Sequence, residues 1–155
     1  PGIPALLQPA AHAIVQAMEE IRKYTSALND SLIWERPAGV ASVGFHLQHI
    51  TGVLDRLFTY AAGGELSPAQ LAYLSNEGRA NDSITLASLL EKLEMQVNVS
   101  LEKLAATDPA RLTETRFVGR KKIPSTMIGL LFHAAEHMQR HTGQILATSA
   151  FVRPR

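Results

Sequence analysis

The sequence predicts an all-α fold, a four-helix bundle whose helices are joined by long crossover connections. Three observations predict it. Four stretches of roughly twenty residues carry apolar side chains at helical spacing. Capping residues, glycines and prolines separate those stretches, and no region shows the alternation of a strand-rich domain. At 155 residues the chain reads as one domain, 1–155, long enough to bury about 70% of the surface its unfolded form exposes.

The first stretch, 6–28, places Leu7, Ala11, Ile14, Val15, Met18, Ile21 and Leu28 on one side and Glu19, Glu20, Arg22 and Lys23 towards the other. Pro37 and Gly39 then punctuate the chain, and Ser42 is placed to cap a second helix over 43–62, which Gly63-Gly64 ends. Phe45, Ile50, Val53, Leu54, Leu57 and Phe58 supply its apolar surface. Ser67-Pro68, a cap followed by proline at the first helical position, predicts a short helix over 69–74, with a polar loop at 76–81. A third long helix over 85–106 follows from Leu86, Leu89, Leu90, Leu93, Val97, Leu101 and Leu104. Residues 113–123 mix β-branched and charged side chains around Gly119 and read as extended or hairpin-like. Pro124-Ser125 opens a last helix over 126–150, with Ser125 as its cap. The connection between the first two long helices is about a dozen residues and the later two about twenty, long enough to cross a bundle end.

Composition narrows the function. Hydrophobic residues at 46% and charged residues at 19% describe an ordinary globular protein, and a net charge of +1 gives no general attraction to nucleic acid or an anionic membrane. The absence of cysteine excludes disulfides, thiolate metal sites and a cysteine nucleophile of the chain's own. No apolar run approaches the ~20 residues of a membrane span, and Pro1-Gly2-Ile3-Pro4 has no signal-peptide pattern, so the expected location is the cytoplasm.

The chemistry lies in histidine. His133, His137 and His141 are spaced by four in the last helix, and His46 and His49 sit together in the second, so five of the six histidines occupy two places. Four residues on a helix rotate about 400° and rise about 6 Å, so neighbouring rungs share a face. Two imidazoles so placed can grip one ion, and on spacing alone His133 with His137 is as good a pair as His137 with His141. Ala134 follows His133 and Met138 follows His137, where a zincin needs glutamate after the first histidine. The simpler reading of any single histidine is a surface or satisfied core residue; five in two clusters favour a divalent transition metal between two helices. Neutral imidazole suits zinc and nickel foremost, and also iron and manganese. Glu136 is a candidate partner behind the ligands, although it points about 100° from His137 and reads more simply as a solvated carboxylate. Gln144, one turn past His141, is placed either to hydrogen-bond near the site or to pack.

A three-histidine site leaves a coordination position open, for water in a hydrolase or for the thiolate of a small-molecule thiol. No Gly-x-Ser-x-Gly elbow or phosphate-binding glycine loop is present. Arg120-Lys121-Lys122 reads as a solvated loop face or as an attractor of an anionic substrate to the mouth of the site, and Trp34 and Tyr60 as packing residues.

Two segments carry a family resemblance: Ser42-Val43-Gly44-Phe45-His46-Leu47-Gln48-His49-Ile50, and the run from Leu130 through His137-Met138-Gln139-Arg140-His141-Thr142-Gly143-Gln144 to Ile145. The chain resembles the DinB-like (DinB/YfiT, bacillithiol-transferase-like) superfamily over nearly its whole length. That resemblance implies a four-helix bundle of unusual connection order and a divalent metal held by His49, His137 and His141, with His46 and His133 as neighbours or alternates. It implies a choice of activities: transfer of a low-molecular-weight thiol (bacillithiol, mycothiol or glutathione) to an electrophile, hydrolysis of a small-molecule substrate, or a non-catalytic metal-binding or stress-response role. It also implies a homodimer.

Overall fold

A computed structural model describes residues 2–81 and 83–153. Short polar side chains start most of its helices by accepting N–H groups that the first turn leaves free. Helix α1 (Gln8–Thr25) follows a 3-10 turn at Ala5–Leu7. Ser42 Oγ accepts from Phe45 N–H to start α2 (Val43–Ala61). Capping boxes, Ser67 with Gln70 and Thr85 with Ser88, start α3 (Pro68–Asn76) and α4 (Leu86–Ala105). An antiparallel hairpin, β1 (Thr115–Val118) with β2 (Ile123–Thr126), leads into α5 (Met127–Val152).

The four long helices are arranged in an order unlike their order in the chain. α5 packs against α1 and α2, and α4 packs against α2 and, less extensively, α1. Around the bundle the order is therefore α1, α5, α2, α4, which puts the successive pairs α1/α2 and α4/α5 on diagonals. The long connections make those crossings. Between the helices Ile14, Ile21, Leu47, Ile50, Leu54, Leu93, Leu104, Met138 and Ile145 are fully buried in one core.

Three boundaries differ from the sequence expectation. α1 ends at Thr25, whose hydroxyl donates back to the Ile21 carbonyl at 2.8 Å; Leu28 keeps its buried position from the turn beyond, so its periodicity reports packing and not helix. The 113–123 region is the hairpin, but it runs on through Thr126. Ser125 consequently pairs with Arg116 inside the strand, and Thr126 takes the cap, accepting from Gly129 N–H at 3.1 Å. Proline at 124 sits in a two-stranded edge, where a missing N–H is tolerated.

The hairpin is fixed to the far end of α2. Buried Arg116 donates Nε–H to the Ala61 carbonyl at 2.7 Å and pairs with Glu114. The basic turn Arg120-Lys121-Lys122 therefore lies near Tyr60, Gly63 and Gly64, about 18 Å along α2 from His49 at 1.5 Å per residue. This placement removes the reading in which it guards the histidines. At the other end, Gly44 packs under Trp34: a Cβ there would fall 2.6 Å from the indole, so only glycine lets the Trp34 segment lie across the start of α2. Trp34 and Tyr60 both pack against the core as expected.

Candidate metal centre

The site forms where the first half of α2 meets the middle of α5. On α5, positions 137 and 141 share a stripe whose next rung is the core residue Ile145, and that stripe faces α2. On α2, His46 and His49 are one turn apart and reach the same place. His49 Nε2 lies 3.0 Å from His137 Nε2, and His137 Nε2 lies 3.1 Å from His141 Nε2. One ring nitrogen from each of the three is within 4.8 Å of the others, close enough for all to hold one ion.

The proton inventory fits a cation. A neutral imidazole has one N–H and one lone pair. His49 donates Nδ1–H to Glu77 Oε2 at 2.7 Å, so its Nε2 presents a lone pair to the centre. A proton on His137 Nε2 can point at only one of its two imidazole neighbours. His137 Nδ1 is also buried with no hydrogen-bond partner among the described residues. Three nitrogens gathered with too few protons between them are a poor hydrogen-bond network and a good donor set for a divalent ion. Two nitrogens bound tetrahedrally to zinc at ~2.0 Å are about 3.3 Å apart, close to the spacings seen.

The protein holds His137, His141 and the neighbouring His46 neutral, the form that coordinates. Burial, reinforced by His49, pushes His137 down from 6.5 to about 4, with His133 and Arg140 adding to the effect. His141 falls further, to about 3, through burial and then His49, His137 and His46. His46, also buried, is lowered to about 4 by desolvation and by His49.

Each expected site residue has a definite place. His49, His137 and His141 come together. His46 lies behind them, its Nδ1 2.9 Å from His141 Nδ1, on the side of His141 away from the other two nitrogens. His133 is exposed, with Nδ1 3.3 Å from Glu136 Oε2, and Glu136 pairs with Arg140. His133, Glu136 and His137 form a second, outward-facing group within ligating reach of one another. Gln144 is exposed and makes no side-chain hydrogen bond among the described residues; the rung that continues the histidine stripe is 145, and 144 is turned away from it.

Two residues were not anticipated. Glu77 lay in what read as a polar loop, where a lone glutamate carries no signal. Arg56 had one: it follows His49 by seven on an otherwise apolar face, between Leu54 and Leu57, and a cation there needs a buried partner. That partner is Glu77, whose Oε1 accepts from Arg56 Nη1 at 2.6 Å. Phe45 completes the surround, stacked on His49 with centroids 5.2 Å apart and planes 11° from parallel.

Fold and site together define a class: a small all-α bundle, with helices in the order α1, α5, α2, α4, enclosing a three-histidine group able to hold a divalent ion. The chain belongs to the DinB superfamily, whose family model matches residues 13–145. No curated protein matches it. Its fold is similar to the crystal structure of a conserved protein from Enterococcus faecalis, which is 17% identical, covers 94% of this chain and 95% of its own, and superposes with a TM-score of 0.73.

Proposed function

We propose that this protein is a metal-dependent enzyme in which His49, His137 and His141 bind a divalent transition ion, zinc or nickel foremost, and a low-molecular-weight thiol is transferred to an electrophile. The observation that carries the reading is the convergence of three imidazole nitrogens, with His49 Nδ1 engaged by Glu77 and His141 Nδ1 by His46; three protein ligands leave a fourth position on the ion for a further ligand. A bound ion supplies Lewis acidity, which favours the thiolate of a bound thiol over the thiol at neutral pH. The sulfur then forms a bond to the electrophilic carbon, that carbon's bond to its leaving group breaks, and the thiol proton passes to solvent.

The chain's own residues favour this over hydrolysis. Water activation calls for a general base beside the ion. Glu77 is committed to His49 and Arg56, and Glu136 is paired with Arg140 on the outer surface. A thiol nucleophile needs no such base, and with no cysteine in the chain it must come from outside. Burial lowers His46 and His141, so these two rings add no positive charge of their own to the site at neutral pH.

The 155 residues act as one domain, in the cytoplasm, as a homodimer that binds a small-molecule substrate and not nucleic acid. No helix among the described residues is long and apolar enough to cross a membrane. Support for the dimer comes from apolar side chains on the outside of α5: Phe132 is 64% exposed and Leu146 45%. Light scattering giving the monomer mass of 16.9 kDa at micromolar concentration would refute it.

The activity test uses protein purified without a polyhistidine tag, assayed for its metal content and screened with thiol and electrophile mixtures with and without added ion. Thiol consumption that needs both metal and His141 supports the transferase. Metal-dependent release of product without thiol supports the hydrolase. A metal that raises the melting temperature and supports neither reaction supports a non-catalytic metal-binding role.

A further inference from the structure

Among the described residues, Glu77 is the most deeply buried charged group contributed by the connection between α2 and α4. α3 itself has no buried residue, and its Leu71 and Leu74 are each 42% exposed. Polar groups tie it to α2: Gln70 Nε2 donates to Asp55 Oδ2 at 2.9 Å and to Thr59 Oγ1 at 2.8 Å, and Tyr73 Oη–H donates to the Gln48 carbonyl at 3.2 Å. Directly after this lightly packed helix the chain drives a carboxylate inwards until its side chain is 4% exposed. Burying such a group is costly unless it is paired, and both partners, His49 and Arg56, come from α2. A helix already docked through its surface has no packing need for that insertion. What the insertion changes is His49.

We propose that Glu77 is the positioning residue of the histidine centre, its carboxylate holding His49 in the Nδ1–H tautomer and in the ring rotation that aims Nε2 at His137 and His141, with Arg56 holding the carboxylate. This rests on the reading of the three histidines as metal ligands. An ionised carboxylate only accepts, so it takes the single imidazole N–H and leaves the opposite nitrogen as a lone pair. Arg56 occupies the other oxygen and prevents the carboxylate from swinging away. The ring is fixed on a second side as well: Phe45 stacks on it, and Phe45 in turn packs on Gly78, the residue after Glu77; the Gly78 N–H donates to Gln48 Oε1 at 2.7 Å.

Gly52 belongs to the same device. A Cβ at Gly52 would overlap the ends of both Glu77 and Arg56 and come within 2.9 Å of the Tyr73 ring. Glycine there leaves the pair room to lie across α2. Gly52→Ala therefore displaces the carboxylate while leaving every charged group in the chain.

The test measures zinc affinity of the untagged full chain by competition with a chromophoric chelator, alongside 15N-edited NMR of the histidine rings and circular dichroism. Glu77→Gln weakens zinc by about 10- to 100-fold, and Gly52→Ala weakens it in the same direction, with helix content unchanged. In a His49→Ala background, Glu77→Gln changes zinc affinity by less than about 2-fold, because its effect travels through His49. In the metal-free wild type His49 is the Nδ1–H tautomer, and Glu77→Gln loses that preference. Equal zinc affinity in wild type and Glu77→Gln overturns the inference alone, as does a loss that persists undiminished without His49. Should Glu77→Gln not fold, Gly52→Ala and the wild-type tautomer decide, and an Nε2–H tautomer at His49 in the wild type overturns it. A wild type that takes up no zinc, nickel, iron or manganese defeats the metal reading and this inference with it.

Discussion

His137 belongs to two groups of potential ligands, and the contrast between them is instructive. The inner group adds His49 and His141; the outer adds His133 and Glu136. Both satisfy the spacing rules of a helix. In the inner group the rings are half-buried, two of them are held neutral by desolvation, and His49 has a carboxylate behind it. In the outer group His133 is exposed and Glu136 is engaged with Arg140 four residues on, an ordinary surface pair contributing about 0.3–0.5 kcal/mol. Spacing puts ligands on a common face, but whether that face meets a second helix decides if they converge with their other bonds satisfied.

The largest expected effect breaks the comparison directly. His49→Ala removes the α2 contribution and lowers zinc affinity by at least about 100-fold, whereas His133→Ala leaves it within about 2-fold, measured by chelator competition. The reverse ranking would move the site to the outer face.

Next comes the coupling of metal to stability. Ligand histidines must be neutral, so the stabilisation given by zinc is present at pH 7.5 and is lost as acid releases the ion. The melting temperatures of metal-loaded and metal-free protein should differ clearly at pH 7.5 and merge on acidification. A difference independent of pH between about 4 and 8 would exclude histidine ligation.

A smaller effect belongs to the metal-free protein. The folded values of about 4 for His46 and His137 and about 3 for His141 lie below the unfolded 6.5, so in acid the unfolded chain binds protons first. Their contribution to stability is complete above pH 6.5 and is lost as pH falls through 4 towards 3. Urea denaturation of metal-free protein across that window should show the decline, and His141→Gln should reduce its slope relative to the wild type. An unchanged slope in His141→Gln would remove desolvation as a mark of the inner group.

The smallest effect is at Glu136. Glu136→Gln removes a surface pair and should change stability by no more than about 0.5 kcal/mol, with zinc affinity unmoved. A tenfold loss of zinc would make the outer carboxylate part of the centre.

Most of the fold was legible because helices declare themselves locally. The stripes of α1, α2, α4 and α5, the caps Ser42 and Ser67, and the stop at Gly63 are all one-dimensional signals. The errors fell where tertiary contact overrides pattern: Leu28 keeps helical phase from within a turn, and Ser125 is drawn into a strand by pairing with Arg116. Within the site, the five histidines of α2 and α5 stood out because histidine recurs at helical spacing, and the family resemblance singled out His49, His137 and His141 among them. Arg56 gave a faint signal, a cation on an apolar face. Glu77 gave none, since its role depends on a loop folding back across α2.

The sequence by itself determined the helices, their buried faces, the family and the histidines able to share an ion, because periodicity, capping and residue chemistry act over one or two turns. The cyclic order α1, α5, α2, α4, the separation of the inner histidine group from the outer, the removal of the basic turn to the far end of α2 and the insertion of Glu77 against His49 were decided only by the tertiary structure. Each of these depends on which faces meet across the bundle, and such long-range pairings are set by the joint packing of all the helices and leave no mark on any single stretch of chain.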